Sequence, residues 1–304
     1  MEALRPMRSL MFVPGHRERM VQRALGLAEF RAGPLDVALL DLEDGVPAAS
    51  KEDARRTVAD ALGRGSQDGP GPLRYVRIRR ALSEEGAADL DAIVRPGLDG
   101  IMAPKVRRGD EIAWLADELD DRERDARIPL GSIRVVPSIE TAAALLEAPR
   151  IAAVSDRVVG LTFGSEDFAL DLGLPTIREA ESLELVYARS AIVVAAAAAQ
   201  KLSFDGIFPN IEDTTGLRAD SLRARRLGFT GKTLVHPRQI EIVNEVFSPT
   251  SDELEHARRV VAAYDDGIAR GTGAVALDGQ MLDAPVVGRA RRILRTAAAG
   301  TGPR

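Results

Sequence analysis

The feature that most constrains this chain is a repeating alternation. Eight short apolar, β-branched runs recur along it: SLMFV (9–13), DVALLDL (36–42), RYVRI (74–78), GIMAP (100–104), IRVVP (133–137), RVVGLTF (157–163), DGIF (205–208) and KTLVH (232–236). Helical stretches lie between them, among them ERMVQRALGLAEF, ASKEDARRTVADAL and GDEIAWLADELDD. Eight strand–helix units of roughly thirty residues each, ~250 in all, match an α/β chain of the (β/α)8 TIM-barrel kind. The near-continuous apolar character of the runs fits parallel strands covered on both faces. An open doubly wound sheet is the alternative, and no GxGxxG or GxxxxGK[ST] loop supports it.

The pattern changes after residue 248. Residues 1–248 are therefore assigned to the barrel, and 249–304 to a C-terminal helical extension and lid. TSDE (250–253) is a capping box, and Leu254, Ala257, Val260, Val261, Tyr264 and Ile268 follow it at helical spacing. A break at GTG (271–273) precedes ALDGQMLDAP and a last helix, VVGRARRIL; the final AAAGTGPR is expected to fray. GRGSQDGPGP (63–72) reads as a surface loop, and VVAAAAAQ (193–200) as a tightly packed barrel helix.

Composition removes several function classes. The 304 residues include no cysteine, which excludes disulfides, thiolate metal sites and a cysteine nucleophile. No apolar run approaches the ~20 residues of a membrane span, and the start lacks a signal-peptide pattern. These points lead to the expectation of a soluble, cytoplasmic protein with no membrane partner. A net charge of −5 argues against nucleic acid as a partner. Lysine occurs only at 51, 105, 201 and 232, so an anion site here would use guanidinium groups.

Barrel enzymes carry their chemistry at the C-terminal ends of the strands. Those ends hold Asp41, Glu43 and Asp44 after the second run, Arg77 in the third, Lys105 after the fourth and Glu140 after the fifth. Glu166, Asp167 and Asp171 follow the sixth, and His236 the eighth. A single acid at such a place is commonly a helix N-cap partner. Acids converging from three strands repel one another unless a cation or an arginine sits among them. Oxygen ligands without cysteine suit Mg²⁺ or Mn²⁺. Lys105 is either a Schiff-base lysine or, among so many acids, an ion-paired ammonium. His236 is either a general base or a strand-end turn residue. RRGDE and DDRERDAR read as solvated charge runs.

Eight short motifs stand in one order: RSLMFVPGHRERM, LDLEDGVPAASKEDAR, VRIRR, APKV, SIET, FGSEDFALDLG, LVHPRQI and DGQMLDAP. Together they resemble the citrate lyase β-subunit-like proteins of the HpcH/HpaI aldolase superfamily, from about residue 8 to 294. The resemblance implies a Mg²⁺-dependent carbon–carbon lyase acting on β-hydroxyacyl thioesters such as citryl-, malyl- or citramalyl-CoA. It implies Glu140 and Asp167 as metal ligands, with Pro137 breaking the strand to re-aim the chain at the site. It further implies Arg77 as the holder of the keto-acid or carboxylate end, and Asp41, Glu43 and Asp44 as acids around the metal waters. Asp283 is implied as the acid of a lid anchored by Met281 and Leu282, in a homotrimer or hexamer whose lid reaches over a neighbour's mouth. His16, Arg17 and Arg19 either meet coenzyme A phosphates or form a solvated helix face, with Lys105 also near the substrate. A true citrate lyase β subunit, with acyl-carrier and transferase partners, and a non-catalytic thioester-binding protein are the alternatives. Two positions depart from the family pattern. Arg79 stands where VRVN has asparagine, and is expected to add a cation that alters acyl-group selection; Asn210 stands where an acid is common.

Overall fold

The apolar runs pair as eight parallel strands in a barrel closed by pairing of the first with the last. This is a computed structural model, and it describes residues 5–28, 33–64, 71–175, 182–271 and 275–301. The strands are β1 (Ser9–Pro14), β2 (Val37–Asp41), β3 (Leu73–Arg77), β4 (Gly100–Ala103), β5 (Arg134–Ile139), β6 (Gly160–Phe163), β7 (Leu202–Asp205) and β8 (Gly231–Leu234). Between them lie α1 (Glu18–Ala24), α2 (Lys51–Leu62), α3 (Glu84–Ile93), α4 (Gly109–Ala126), α5 (Ala142–Ala153), α6 (Ser165–Asp171), α7 (Val186–Ala198) and α8 (Thr214–Leu227). The helix α9 (Ile240–Phe247) follows β8. The barrel belongs to one compact unit, Met7–Glu245; Val246–Arg304 belongs to another.

Side chains alternate across a strand, so every second residue points inward. Leu10, Val37, Leu39, Tyr75, Met102, Val136 and Phe204 meet in one buried cluster, which fills the barrel as a packed core. The seventh strand is LSFD, three residues before the expected DGIF. Phe204 is the aromatic that fills the interior, and Asp205 stands in register with Lys232 on β8.

The expected break at Pro137 is also corrected: β5 runs through it to Ile139. Pro137 pairs with Ala103 on the β4 side. On the other side proline has no N–H to give. There the register slips, from Val135 opposite Val158 to Ser138 opposite Thr162, so that β6 carries one extra residue. A bulge of this kind absorbs the missing donor without ending the strand. It also explains why β6 starts at Gly160 and not at Arg157.

The run DDRERDAR is not all solvated. Glu123 is fully buried; it accepts from the Gly131 and Ile133 N–H groups at 2.7 and 2.8 Å and from Arg157 at 2.6 and 2.9 Å. The Ala-rich run lies within α7, as expected, and among the described residues no helix is long and apolar enough to cross a membrane. Residues 65–70 of the expected 63–72 loop, and 272–273 of GTG, lie outside the described residues.

The wall between β7, β8 and their helices holds a buried ionic network. Lys232 donates to Asp205 at 2.5 Å and to Asp220 at 2.6 Å, while Arg189 grips Asp205 at 2.7 and 3.0 Å. Two cations face two carboxylates, so removing one leaves a buried charge uncompensated. Lys232→Met is therefore expected to destabilise the fold by about 3–5 kcal/mol, read as a lowered urea midpoint.

The second unit contains α10 (Ser251–Ala269), the hairpin strands β9 (Val275–Leu277) and β10 (Gln280–Leu282), and α11 (Ala284–Thr301). The expected capping box is present: Glu253 N–H donates to Thr250 Oγ1 at 3.2 Å and Thr250 N–H to Glu253 Oε2 at 2.8 Å. Ala257 and Val260 face the unit's core, whereas Ile268 at the end of the stripe is exposed. α11 continues to Thr301, past the point where fraying was expected. The β9–β10 turn is Asp278-Gly279, with φ of +51° and +81°. Positive φ at both central residues is what a two-residue hairpin turn requires. The resemblance implies that Met281 and Leu282 anchor this segment as a lid. Leu282 is buried among Ala257, Val260, Val287 and Ala290 of the same unit, while Met281 is exposed.

Candidate active site

Strand register assembles the site. Asp41 lies opposite Arg77 on neighbouring strands. Each lies two residues beyond an inward-facing core residue, Leu39 or Tyr75, so both side chains enter the barrel just above the apolar core. Arg77 Nε and Nη2 donate to the two Asp41 oxygens at 2.8 and 2.7 Å. Its Nη1 lies 3.1 Å from Glu43 Oε2, and its guanidinium carbon stacks 4.5 Å from the Phe12 ring centre. Asp41 also accepts the Glu43 and Gly45 N–H groups, each at 2.8 Å. Burial pulls the Arg77 pKa down, but the Asp41 hydrogen bond and the charges of Asp41, Glu43 and Asp44 outweigh it and raise it.

Glu43 is 5% exposed and touches Lys105 Nζ at 2.8 Å. Burial raises its pKa, against the pull of Arg77 and Lys105. Lys105 is raised by its hydrogen bond to Glu43, with Asp44 3.5 Å away. A Schiff-base lysine must be neutral to react, so the ion-pair reading of Lys105 is the one the geometry fits. Asp44, with a side chain 56% exposed, faces solvent.

Glu140 follows β5 and is 5% exposed. It is not the cap of α5. Thr141 Oγ1 accepts from Ala144 N–H at 3.1 Å, and Asp171 accepts from Ala142 N–H at 2.8 Å. The Glu140 carboxylate is thereby left to the barrel mouth. Its Oε2 accepts the Lys105 N–H at 3.0 Å. Gly164 makes room on the other side: a β-carbon there would sit 2.3 Å from Glu140 Cγ. Burial pushes the Glu140 pKa up to about 7, eased by Ser138, with Glu43 and half-buried Asp167 adding repulsion. Asp167 projects from the first turn of α6.

A cation between Glu140 and Asp167 would relieve that repulsion. Among the described residues no cluster of three or more metal-binding side chains occurs. Two carboxylates and open positions are the donor set that Mg²⁺ takes, completed by waters and substrate. The residues present therefore fit such an ion.

A groove of about 1220 Å³ opens beside Phe12, between the ends of β1 and β8 and helix α1. Arg19, Met20, Arg23, His236 and Arg238 line it. The expected His16 and Arg17 do not. His16 lies near Asp41 with its pKa pushed down by burial and by Arg17, and Arg17 is exposed. Arg79 is no extra cation at the mouth: it grips Asp89 of α3 at 2.6 and 3.0 Å and the Glu85 carbonyl at 3.0 Å. Asn210 accepts from Glu212 N–H at 3.2 Å in the loop after β7. Asp283 lies in the second unit, where it accepts from Val286 N–H at 3.0 Å and caps α11.

Sequence reasoning missed three contributors. Phe12 supports Arg77, and its signal was its place two residues above Leu10. Lys51 donates to the Leu42 and Glu43 carbonyls at 3.0 and 2.5 Å, fixing the acidic loop from behind; in sequence it reads as an ordinary helix residue. Gly164 carries no sequence signal for its contact with Glu140.

Residues 8–237 match the family model HpcH/HpaI aldolase/citrate lyase. The chain is 37% identical over 290 residues to citrate lyase subunit beta of Leuconostoc mesenteroides subsp. cremoris, covering 95% of this chain and 93% of that one. It is 34% identical to a (3S)-malyl-CoA thioesterase of Cereibacter sphaeroides, with coverage of 97% and 95%. In structure it resembles the CitE protein of Mycobacterium tuberculosis in complex with magnesium, acetoacetate and coenzyme A. That match has a TM-score of 0.74, 31% identity and coverage of 96% and 98%.

Proposed function

The chain belongs to the HpcH/HpaI aldolase/citrate lyase family, and from that premise we propose that it is a Mg²⁺-dependent carbon–carbon lyase of β-hydroxyacyl-CoA thioesters. The observation that carries the reading is one constellation: paired Glu140 and Asp167, with a guanidinium held open-ended at the same strand ends and stacked on Phe12, which also lines a groove that holds Arg19, Arg23 and Arg238. Relatives named for citrate lyase and for malyl-CoA, and the CitE complex with magnesium and coenzyme A, support it.

Glu140 and Asp167 hold Mg²⁺ in this reading. When bound, the ion supplies Lewis-acid polarisation of the oxygen that becomes the keto-acid carbonyl. Arg77 has five N–H groups; Asp41 takes two and Glu43 faces a third, which leaves two for a substrate carboxylate. Asp41 and Glu43 thus aim the guanidinium. In cleavage the β-hydroxyl loses its proton and its carbon becomes a carbonyl. The Cα–Cβ bond breaks, and its electron pair passes to the thioester α-carbon, which takes up a proton. Asp44, the exposed acid of its loop, receives the hydroxyl proton. Asp283 from a neighbouring chain of a trimer, its lid laid over the mouth, delivers the proton to the α-carbon. The groove holds the long arm of the thioester, with its arginines toward the phosphates.

A cleavage screen tests this. Citryl-, malyl- and citramalyl-CoA are offered with Mg²⁺ and with EDTA, and both keto acid and free thiol are followed. Keto acid is expected with the thioester retained, lost in EDTA and restored by Mg²⁺ or Mn²⁺. Borohydride is expected to trap nothing at Lys105. Thiol release without keto acid would favour a second reading, a thioesterase, for which the malyl-CoA thioesterase relative speaks. Turnover only of a citryl group on an acyl-carrier protein would assign the chain to a citrate lyase complex. No turnover of any kind would leave a thioester-binding protein.

A further inference from the structure

His236 follows β8, and its ring and its backbone are each held by a hydrogen bond. Its Nδ1 accepts the Arg238 N–H at 3.2 Å, capping the short turn at Pro237–Gln239. Its backbone N–H donates to Gln239 Oε1 at 3.2 Å, and Val235 N–H donates to the same oxygen at 3.0 Å. Gln239 is 1% exposed, and its amide donates in turn to the Phe208 carbonyl at 2.9 Å. The loops after β7 and β8 are thus tied together, with His236 at the junction.

A backbone N–H can donate only to an unprotonated ring nitrogen. Nδ1 therefore carries no proton, and the neutral imidazole carries it on Nε2. Among the described residues no hydrogen bond from Nε2 is formed, and His236 lines the groove beside Phe12 and Pro14. A base would have to offer a lone pair there; this ring offers an N–H.

We infer that His236 is a ligand-binding residue, its Nε2–H donating to a carbonyl oxygen on the arm of an acyl-CoA lying in the groove. The inference rests on the coenzyme A thioester reading above and deepens it: it replaces a general base with a fixed donor that sets how far the arm enters. Such a donor is placed well because its supports are themselves held.

Two substitutions separate this role from the cap. His236→Asn keeps an acceptor near Nδ1, where asparagine is a good N-cap, and loses the reach of Nε2. His236→Gln keeps an N–H near the place of Nε2 and loses the cap. The full-length protein is titrated with coenzyme A in the presence of Mg²⁺ by calorimetry, and KM and kcat are measured on whichever thioester it cleaves. His236→Asn is expected to weaken coenzyme A binding about three- to ten-fold and to raise KM more than it lowers kcat, with an unchanged melting temperature. His236→Gln is expected to bind nearly as the wild type does while melting lower. The opposite pattern, normal binding by His236→Asn and loss in His236→Gln, would reduce His236 to a cap and overturn the inference. A wild-type protein that neither binds coenzyme A nor cleaves a thioester would sink the functional reading and this inference together. Binding by the wild type and His236→Asn alike would remove the inference alone.

Discussion

Glu140→Ala is expected to abolish lyase turnover, by about 10³-fold or more, while leaving the protein folded. Partners of metal ligands cost about 10- to 100-fold in metal affinity when removed, so loss of a proposed ligand should exceed that range. The fold should survive for an electrostatic reason. The Glu140 carboxyl is pushed up to about 7, first by burial, then by Glu43 and Asp167. A carboxyl raised above its unfolded value binds more protons folded than unfolded between the two values. Its contribution to stability is thus full at low pH and falls as pH rises through about 7. Alanine removes that penalty, so the metal-free variant should resist urea at pH 8 at least as well as metal-free wild type. Mg²⁺ should raise the wild-type midpoint and leave that of the variant nearly unmoved. Strong Mg²⁺ binding by Glu140→Ala, measured by calorimetry, would take Glu140 out of the metal site.

Arg77→Lys is the second large effect expected, a fall of about 10²- to 10³-fold in kcat/KM with Mg²⁺ binding intact. An ammonium is a point charge. It can replace one of the three Arg77 contacts to Asp41 and Glu43, and it cannot also present two parallel N–H groups to a carboxylate. Asp41 keeps its two backbone donors, so the acidic loop should hold its shape. Near-normal kinetics in this variant would show that Arg77 is a structural partner of Asp41 and no more.

Much of this was legible in order along the chain. The alternation of apolar runs and helices specifies a barrel because each run must be buried on both faces, and a closed parallel barrel with an outer helical layer does that. The strand ends could be read for the same reason, since period-two alternation carries Asp41, Arg77 and Glu140 inward once the core residues below them are known. What failed were statements about pairing. Pro137 reads as a break in one dimension, yet a slip of register on the β6 side lets the strand continue. Arg79 reads as a cation at the mouth, yet the next helix supplies Asp89 to hold it.

Sequence by itself determined the barrel, its closure by eight strands, the acids at its mouth and the capping box at 250–253, because these depend on local periodicity and near-neighbour hydrogen bonds. Only the tertiary structure decided which charges meet. It placed Lys105 against Glu43, gave Asp41 to Arg77, buried Glu123 on Arg157 and set the imidazole of His236 in the groove wall with Nδ1 turned to the Arg238 N–H. Those pairings join residues 34 to 62 positions apart or sit on turns fixed by distant carbonyls, and an electrostatic interaction depends on distance and burial, which linear order does not carry.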